Sequence, residues 1–170
     1  MKNRTKKKLL EVVWFLVKLN LLAIPLYILI FLNFSCQPLQ NFVAFLSYKL
    51  LRMLGVQVGL NQSLLTVIYG FRLIAIQISM DCIGWKSLYA LAALVIATPA
   101  VKFKKKLRFL ILGLPLLFLL NIARIAMTIY LSLALEPSSF SFVHDILWQW
   151  GLIFAVLGVW AVWLKCEKRI

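Results

Sequence analysis

The chain has 170 residues and a mass of 19.5 kDa; 64% of it is hydrophobic and its mean hydropathy is +0.96. Soluble domains are about 45–50% apolar, and a chain of this size has too much surface for its volume to hide more. The composition therefore excludes a soluble globule and predicts a protein of the lipid bilayer. A net charge of +14 on a soluble protein would suggest nucleic acid as a partner. Here the charges lie between apolar runs, where they indicate membrane topology, so no nucleic acid partner is expected.

Four apolar runs approach or exceed the roughly 20 residues that a helix needs to cross a bilayer. They cover residues 9–34, 85–101, 107–135 and 146–164. The first run is too long for a signal-peptide core and has no small-residue cleavage site after it, so it is interpreted as a retained span. The predicted fold is an all-α polytopic membrane protein, a helical bundle of four spans. Two further spans, over residues 38–54 and 64–80, remain an alternative.

Thirteen of the 19 Lys and Arg residues fall into three clusters, at residues 2–8, 102–108 and 165–169. Four or six crossings place all three clusters on one side, which the positive-inside rule makes cytoplasmic. We therefore expect a single integral membrane domain over residues 1–170 of the cell membrane. Its basic N-terminus (1–8) and basic tail (165–170) would both be cytoplasmic.

The segment between the first two spans differs in character from the rest. Residues 38–54 are typical of an amphipathic helix that lies in the membrane interface, with Lys49 and Arg52 on its polar face. Residues 71–80 alternate instead, with Ile74, Ile76, Ile78 and Met80 on one face, which is the pattern of a half-buried strand. Val56, Val58 and residues 64–68 are its expected partners, across a turn at residues 61–63. The predicted layout is thus an extracytoplasmic interfacial helix and β segment over 35–81, followed by a catalytic helical core over 82–164.

Cys82 stands at the outer start of the second predicted span. Asp81 is a plausible N-cap, which would put Cys82 in the first helical turn, where the helix dipole favours a thiolate. Lys86, four residues on, acts in the same direction and Asp81 in the opposite one. The alternatives are a small buried hydrophobic residue or a disulfide with Cys36. The three cysteines form no CxxC, which excludes a local zinc knuckle or redox pair; no metal or cofactor is expected.

Arg124 lies inside the third predicted span. A charge at such a position costs about 2.5–3.5 kcal/mol on insertion scales and suggests a function. Asn121, Arg124, Thr128 and Ser132 follow helical spacing, so they form one polar stripe that must face protein or a wet cavity. The alternatives are a purely structural contact between helices, or a side chain that reaches the outer headgroups.

His144 is the only histidine and precedes the last predicted span. Near a helix N-terminus the neutral imidazole is favoured, as a general base requires. A cysteine, a histidine and an arginine at the outer face of one small bundle would supply a nucleophile, a base and an oxyanion donor. Cys82, His144 and Arg124 are therefore the candidate catalytic residues for acyl transfer.

These residues also carry a family resemblance. The order Cys-x-Gly (Cys82, Gly84), Asn-x-x-Arg (Asn121, Arg124) and an isolated His (His144) resembles the exosortase and archaeosortase family. Members are multi-pass membrane transpeptidases with a Cys, Arg and His active site. The run D-C-I-G-W resembles archaeal more than bacterial members. Asn121, Gly84 and, from its place beside the thiol, Lys86 are the expected supporting residues.

The resemblance implies an activity and its partners. Cys82 would attack a peptide bond near the C-terminal sorting signal of an exported protein, a short motif followed by a transmembrane helix and a basic tail. The new C-terminus would pass to a membrane acceptor, a lipid amine in the archaeal branch. The active site would face the extracytoplasmic side.

Two other functions compete with this hypothesis. Four spans and about 170 residues also suit an aspartic membrane peptidase of the lipoprotein signal peptidase type, with Asp81 and Asp145 as its dyad. The Asn-containing aspartate motifs of that family are absent from the sequence. The second alternative is a non-catalytic assembly subunit or carrier, although the chain has no internal repeat and only Lys18 and Arg124 are charged away from the ends of the spans.

Overall fold

A computed structural model describes residues 2–69, 72–99, 101–135 and 150–168. The helices are α1 (Lys2–Phe31), α2 (Gln37–Met53), α3 (Trp85–Ala97), α4 (Phe103–Leu135) and α5 (Leu152–Lys168). Between α2 and α3 lie the strands β1 (Val58–Asn61), β2 (Leu64–Tyr69) and β3 (Arg72–Gln77), followed by a 3-10 turn (Met80–Ile83). The chain is mostly helical with a small sheet before Cys82, as predicted.

Two of the described helices are long and apolar enough to cross a bilayer, over Lys6–Phe31 in α1 and Phe103–Leu133 in α4. Both present large apolar side chains outward, such as Tyr27 at 68% exposure and Leu112 at 70%, which suits contact with lipid. These features support a membrane location. Four spans were predicted, and the described part of the chain contains two helices that meet the criteria for a span.

The other two predicted spans have shorter helices. α3 has 13 residues and ends at Ala97 with Thr98 as its C-cap, because Pro99 disfavours helical geometry at the residue before it. The predicted span had continued to Val101. α5 has 17 described residues, and the predicted start of its span at Ile146 lies outside the described residues.

The three strands form an antiparallel sheet in the order β1, β2, β3, with Leu65 opposite Ile76 and Val67 opposite Ile74. The predicted alternation is confirmed: Ile78, just after β3, is 1% exposed, whereas Leu73 on the other face is 75% exposed. The alternative of a helical span over residues 64–80 is therefore wrong. Its β-branched residues with period two bury one face of a sheet more effectively than one side of a helix.

The sheet and α2 pack together on α4. α2 is amphipathic as predicted, with Lys49 and Arg52 exposed and Ser47 and Leu51 fully buried. One apolar core joins α2, the sheet, the 3-10 turn and the C-terminal half of α4; it includes Val43, Leu51, Leu65, Val67, Ile78, Ile83, Ile122, Ile125 and Ile129. A second core joins α3, α4 and α5 through Leu91, Val95, Leu117, Val156 and Trp163.

The three basic clusters gather at one end of the bundle. Lys8 of α1, Thr98 after α3 and Glu167 of α5 line one cavity there, and Lys105 of α4 forms an ion pair with Glu167. The sheet and Cys82 lie at the other end, where α3 begins. The clusters thus share one end of the bundle and Cys82 occupies the opposite one.

Candidate functional site

Cys82 lies on the 3-10 turn between β3 and α3. Gly84 follows the turn in the left-handed conformation, with φ of +78°, and is the N-cap of α3, which starts at Trp85. The prediction that Asp81 caps the helix and that Cys82 lies in its first turn is therefore wrong. Glycine adopts positive φ without steric cost, so Gly84 separates the turn from the helix. Cys82 precedes the helix instead of belonging to it.

Lys86 binds Asp81 and not the thiol. Its Nζ lies 2.6 Å from Asp81 Oδ1, and the two side chains are 42% and 54% exposed. The pair lines a separate surface cavity with Gly84, whereas Cys82 lines a different one. The supporting role predicted for Lys86 thus receives no support from a direct contact between its side chain and the Cys82 thiol.

Asn121 fixes the backbone of the turn. Its Nδ2 donates to the carbonyl oxygen of Cys82 at 3.0 Å and to that of Ile83 at 2.8 Å, and the residue is only 2% exposed. A Cβ on Gly84 would lie 2.8 Å from Asn121 Cγ. Gly84 is therefore required twice, by its positive φ and by the close approach of Asn121.

Arg124 lies one helical turn beyond Asn121 and points at the same loop. Its Nη2 donates to Asn121 Oδ1 at 3.1 Å and approaches the Cys82 carbonyl oxygen at 3.5 Å. Asn121 Oδ1 is thus oriented by Arg124 while its Nδ2 holds the turn. Of the alternatives for this arginine, the structure favours an inward, protein-facing side chain over one that reaches the headgroups.

The rest of the polar stripe is buried and bonded to its own helix. Thr128 Oγ1 donates to the Arg124 carbonyl oxygen at 2.8 Å, and Ser132 Oγ donates to the Thr128 carbonyl oxygen at 2.6 Å. Each residue is 3% exposed. The stripe faces inward, toward protein and toward a cavity that Arg124 and Thr128 line, as its helical spacing predicted.

A cavity of about 460 Å³ opens beside the thiol. Its walls are β3 with the two residues after it, the half-buried Cys82, and Arg124, Thr128 and their apolar neighbours on α4. Cys82 and Cys36 are both free, so the disulfide alternative is not the state of this structure. The arrangement offers an accessible thiol and a fixed guanidinium in one mostly apolar cleft, a combination suited to attack on a carbonyl.

One neighbour of the thiol was not predicted from the sequence. Ser79 Oγ lies 3.4 Å from Cys82 Sγ and within hydrogen-bonding distance for sulfur. The sequence signal for this contact was the three-residue spacing between Ser79 and Cys82, which matches one 3-10 turn. It was missed because an α-helix was predicted to start at Asp81.

His144 and Asp145 lie outside the described residues. The structure therefore brings together Cys82, Gly84, Asn121 and Arg124, and does not place the predicted base. Among the described residues, no group of three or more His, Cys, Asp or Glu side chains is arranged to hold a metal ion.

Comparison with known protein families identifies a match over most of the chain. The family model described as transmembrane exosortase matches residues 4–164 of the chain. No curated protein and no solved structure matches it. The matched range contains every residue of the Cys-x-Gly, Asn-x-x-Arg and His pattern.

Proposed function

Because the chain belongs to the transmembrane exosortase family, we propose that it is a membrane-embedded cysteine transpeptidase. It cleaves the C-terminal sorting signal of exported proteins and transfers the new C-terminus to a membrane lipid acceptor. The observation that carries this proposal is the cavity shared by Cys82 and Arg124, with the turn between them held by Asn121. The archaeal-type assignment stays a prediction.

In the first step the Cys82 thiolate attacks the carbonyl carbon of the scissile peptide bond. The tetrahedral intermediate carries a negative oxygen, and Arg124 donates to it in a site where a fixed cation is worth more than in water. The C–N bond then breaks, which leaves a thioester on Cys82 and releases the transmembrane tail with a free amine. Arg124 suits this role because its guanidinium stays charged at any accessible pH.

His144 carries the protons in this scheme. It accepts the thiol proton, gives a proton to the departing amine, and later accepts one from the acceptor amine as that amine attacks the thioester. The second attack forms the new amide and restores the Cys82 thiolate. The assignment rests on the family pattern, in which an isolated histidine precedes the last span.

Asn121 and Gly84 act as positioning residues. Two hydrogen bonds from one buried amide fix the carbonyls of Cys82 and Ile83, so the thiol keeps its place relative to α4. A reacting group held in position lowers the entropic cost of attack.

The active site faces the extracytoplasmic side in this proposal, and both termini are cytoplasmic. The gathering of the basic clusters at the end opposite Cys82 supports it. In intact cells a membrane-impermeant maleimide should label Cys82 or Cys36 and leave Cys166 unmodified until detergent is added. Labelling of Cys166 alone in intact cells would reverse the topology.

The catalytic assignment is tested by Cys82→Ala in cells that contain a client, with Cys166→Ala as the matched control. Cys82→Ala should leave the client uncleaved in the membrane, seen as a larger species by gel and mass analysis. Cys166→Ala should process it normally, because Cys166 lies on the exposed face of α5 at the other end of the bundle. Normal processing by Cys82→Ala would refute the thiol mechanism.

The aspartic peptidase alternative is less well supported. The Asp81 carboxylate pairs with Lys86 at the surface and does not line the cavity of Cys82. Asp81→Asn and Asp145→Asn should both retain activity. If both were inactive while Cys82→Ala processed clients, the aspartic mechanism would replace this one.

A further inference from the structure

β3 is an edge strand of the described sheet, and the backbone groups along its free edge bond to no other described strand. The strand order is β1, β2, β3, so β3 pairs with β2 on one side only. The amide of Ile78 donates to the Ser63 carbonyl oxygen at 2.8 Å, so the backbone groups of Ile78 point toward the β2 side. Because bonding direction alternates along an antiparallel strand, Ile74 and Ile76 also face β2. The N–H and C=O groups of Leu73, Ala75 and Gln77 therefore point away from β2.

The cavity beside Cys82 runs along this edge. Every residue from Ile74 to Ser79 lines it, although successive side chains point to opposite faces of the sheet. A cavity lined by consecutive strand residues lies beside the strand and not over one face. Its far wall is α4 from Arg124 to Ile129, so it is a groove between a strand edge and a helix.

The groove has a direction that the chain connectivity fixes. β3 runs toward Cys82, which follows its last residue by only a few positions, and the Cys82 carbonyl lies at Asn121 and Arg124. The groove continues from Arg124 along α4 to Ile129, toward the C-terminal end of that helix. One end of the groove is therefore the thiol, and the other lies near the start of β3.

We propose that the client segment before the scissile bond binds in this groove as a fourth strand, parallel to β3. The inference rests on the proposed function, because it assumes that Cys82 attacks the client. A peptide that enters at the start of β3 and runs alongside it delivers its carbonyl to Cys82. The exported domain then stays at the C-terminal end of α4, and the tail continues past the thiol. Backbone pairing of this kind binds extended peptides in other proteins and gives affinity through main-chain hydrogen bonds.

Binding of the client as a fourth strand also predicts which client side chains are accepted before the cleavage site. Alternate client side chains would point toward α4, where the wall contains Ile125, Thr128 and Ile129. Those positions should accept apolar or small residues, whereas the positions between them lie beside Leu73, Ala75 and Gln77 on the exposed face and should tolerate polar ones.

Crosslinking tests the geometry. In a Cys82→Ala, Cys36→Ser, Cys166→Ser background, single cysteines replace Leu73, Ala75 or Gln77, with Asn61→Cys on β1, at the opposite edge of the sheet, as the control. The partner is an exported protein with a C-terminal apolar helix and basic tail that Cys82→Ala fails to process, with cysteines at successive positions before its cleavage site. A bifunctional maleimide should join client positions nearer the cleavage site to positions nearer residue 77. The reverse order, or strongest crosslinking to Asn61→Cys, would overturn the proposal.

A kinetic test addresses the backbone groups themselves. Ala75→Pro removes an N–H that points to the groove without removing a bond to β2, and Ala75→Ser is the control that keeps it. Loss of one hydrogen bond should raise KM about two- to tenfold for Ala75→Pro, with kcat nearly unchanged. Equal KM values for a folded Ala75→Pro and Ala75→Ser would contradict strand addition; if Ala75→Pro does not fold, the crosslinking order decides.

The two proposals fail separately. Normal processing by Cys82→Ala would refute the thiol mechanism and remove the premise of strand addition. Blocked processing by Cys82→Ala, together with crosslinks that do not follow β3, would refute only strand addition.

Discussion

The two ends of α3 are held by the same helix through the same kind of contact, yet only one end carries the candidate site. At the start of α3, Asn121 of α4 donates to the carbonyls of Cys82 and Ile83. At its end, Lys106 of α4 donates to the carbonyls of Ile96 at 2.7 Å and Thr98 at 2.5 Å. α4 thus fixes both ends of its neighbour with buried polar side chains.

The neighbours of each contact account for the difference. Lys106 meets the C-terminal carbonyls of α3, where the helix dipole favours a cation, and Trp160 Nε1 bonds Thr98 Oγ1 at 3.1 Å beside it. That end is a structural anchor. At the other end a neutral amide meets a turn with a thiol, a glycine and a guanidinium, next to an open cavity. The contact made by Lys106 only anchors the end of α3, whereas the contact made by Asn121 positions the candidate reactive groups at its start.

Among substitutions that leave the Cys82 thiol in place, the largest effect on activity is expected from Arg124→Lys. The substitution keeps a positive charge but loses the planar guanidinium, whose Nη2 contacts both Asn121 Oδ1 and the Cys82 carbonyl oxygen. Loss of an oxyanion donor typically lowers kcat on the order of 10²-fold, while thermal unfolding in detergent should change little. Processing at the unaltered rate would show that Arg124 serves only the packing of helices.

Gly84→Ala should damage both stability and activity. Alanine at φ of +78° is strained, and its Cβ would displace the Asn121 side chain that holds the turn. We expect a loss of about 2–4 kcal/mol, measured by thermal unfolding in detergent.

Gly158→Ala is the matched control for that substitution. Gly158 lies inside α5, and nothing lies within 4 Å of the position of an added Cβ. Since alanine is the better helix former, the change should be neutral or stabilising by up to about 1 kcal/mol. Equal effects at the two glycines would contradict the geometry described for the turn.

Lys106→Met should separate the anchor from the site. It removes two hydrogen bonds from carbonyls at the end of α3, which should cost about 1–3 kcal/mol of stability. Processing by the folded variant should be unchanged, since the thiol lies at the opposite end of α3. A selective loss of kcat with normal stability would mean that the two ends are coupled.

The smallest effect is expected from Asp81→Asn. The Asp81 and Lys86 side chains are about half exposed, and an exposed ion pair is worth about 0–1 kcal/mol. Stability and processing should both stay near those of the unaltered protein. An inactive but folded Asp81→Asn protein would revive a chemical role for this carboxylate.

Much of the end of the molecule that holds the sheet and Cys82 was predictable because its signals are periodic. Alternation gave β3 and its partners, and the spacing of Asn121, Arg124 and Thr128 gave a polar stripe that faces protein. Periodicity reports which face of an element is buried and needs no knowledge of its neighbours.

The contacts that shape the site were not predictable because they join residues far apart in the sequence. Lys106 belongs to a basic cluster interpreted as a topology signal, yet it is 9% exposed and anchors α3. The 3-10 turn depends on Asn121 meeting Gly84, two residues far apart in the sequence. Such partners are set by tertiary packing, which no local pattern encodes.

In the proposed mechanism Cys82 becomes covalently attached to the client. The most direct measurement is mass spectrometry of the protein isolated with a client, with acceptor transfer slowed by detergent extraction. We expect a peptide containing Cys82 that carries the new C-terminus of the client as a thioester, which hydroxylamine releases and which the Cys82→Ala protein lacks. Continued client cleavage with no such adduct, or an adduct on another residue, would contradict it.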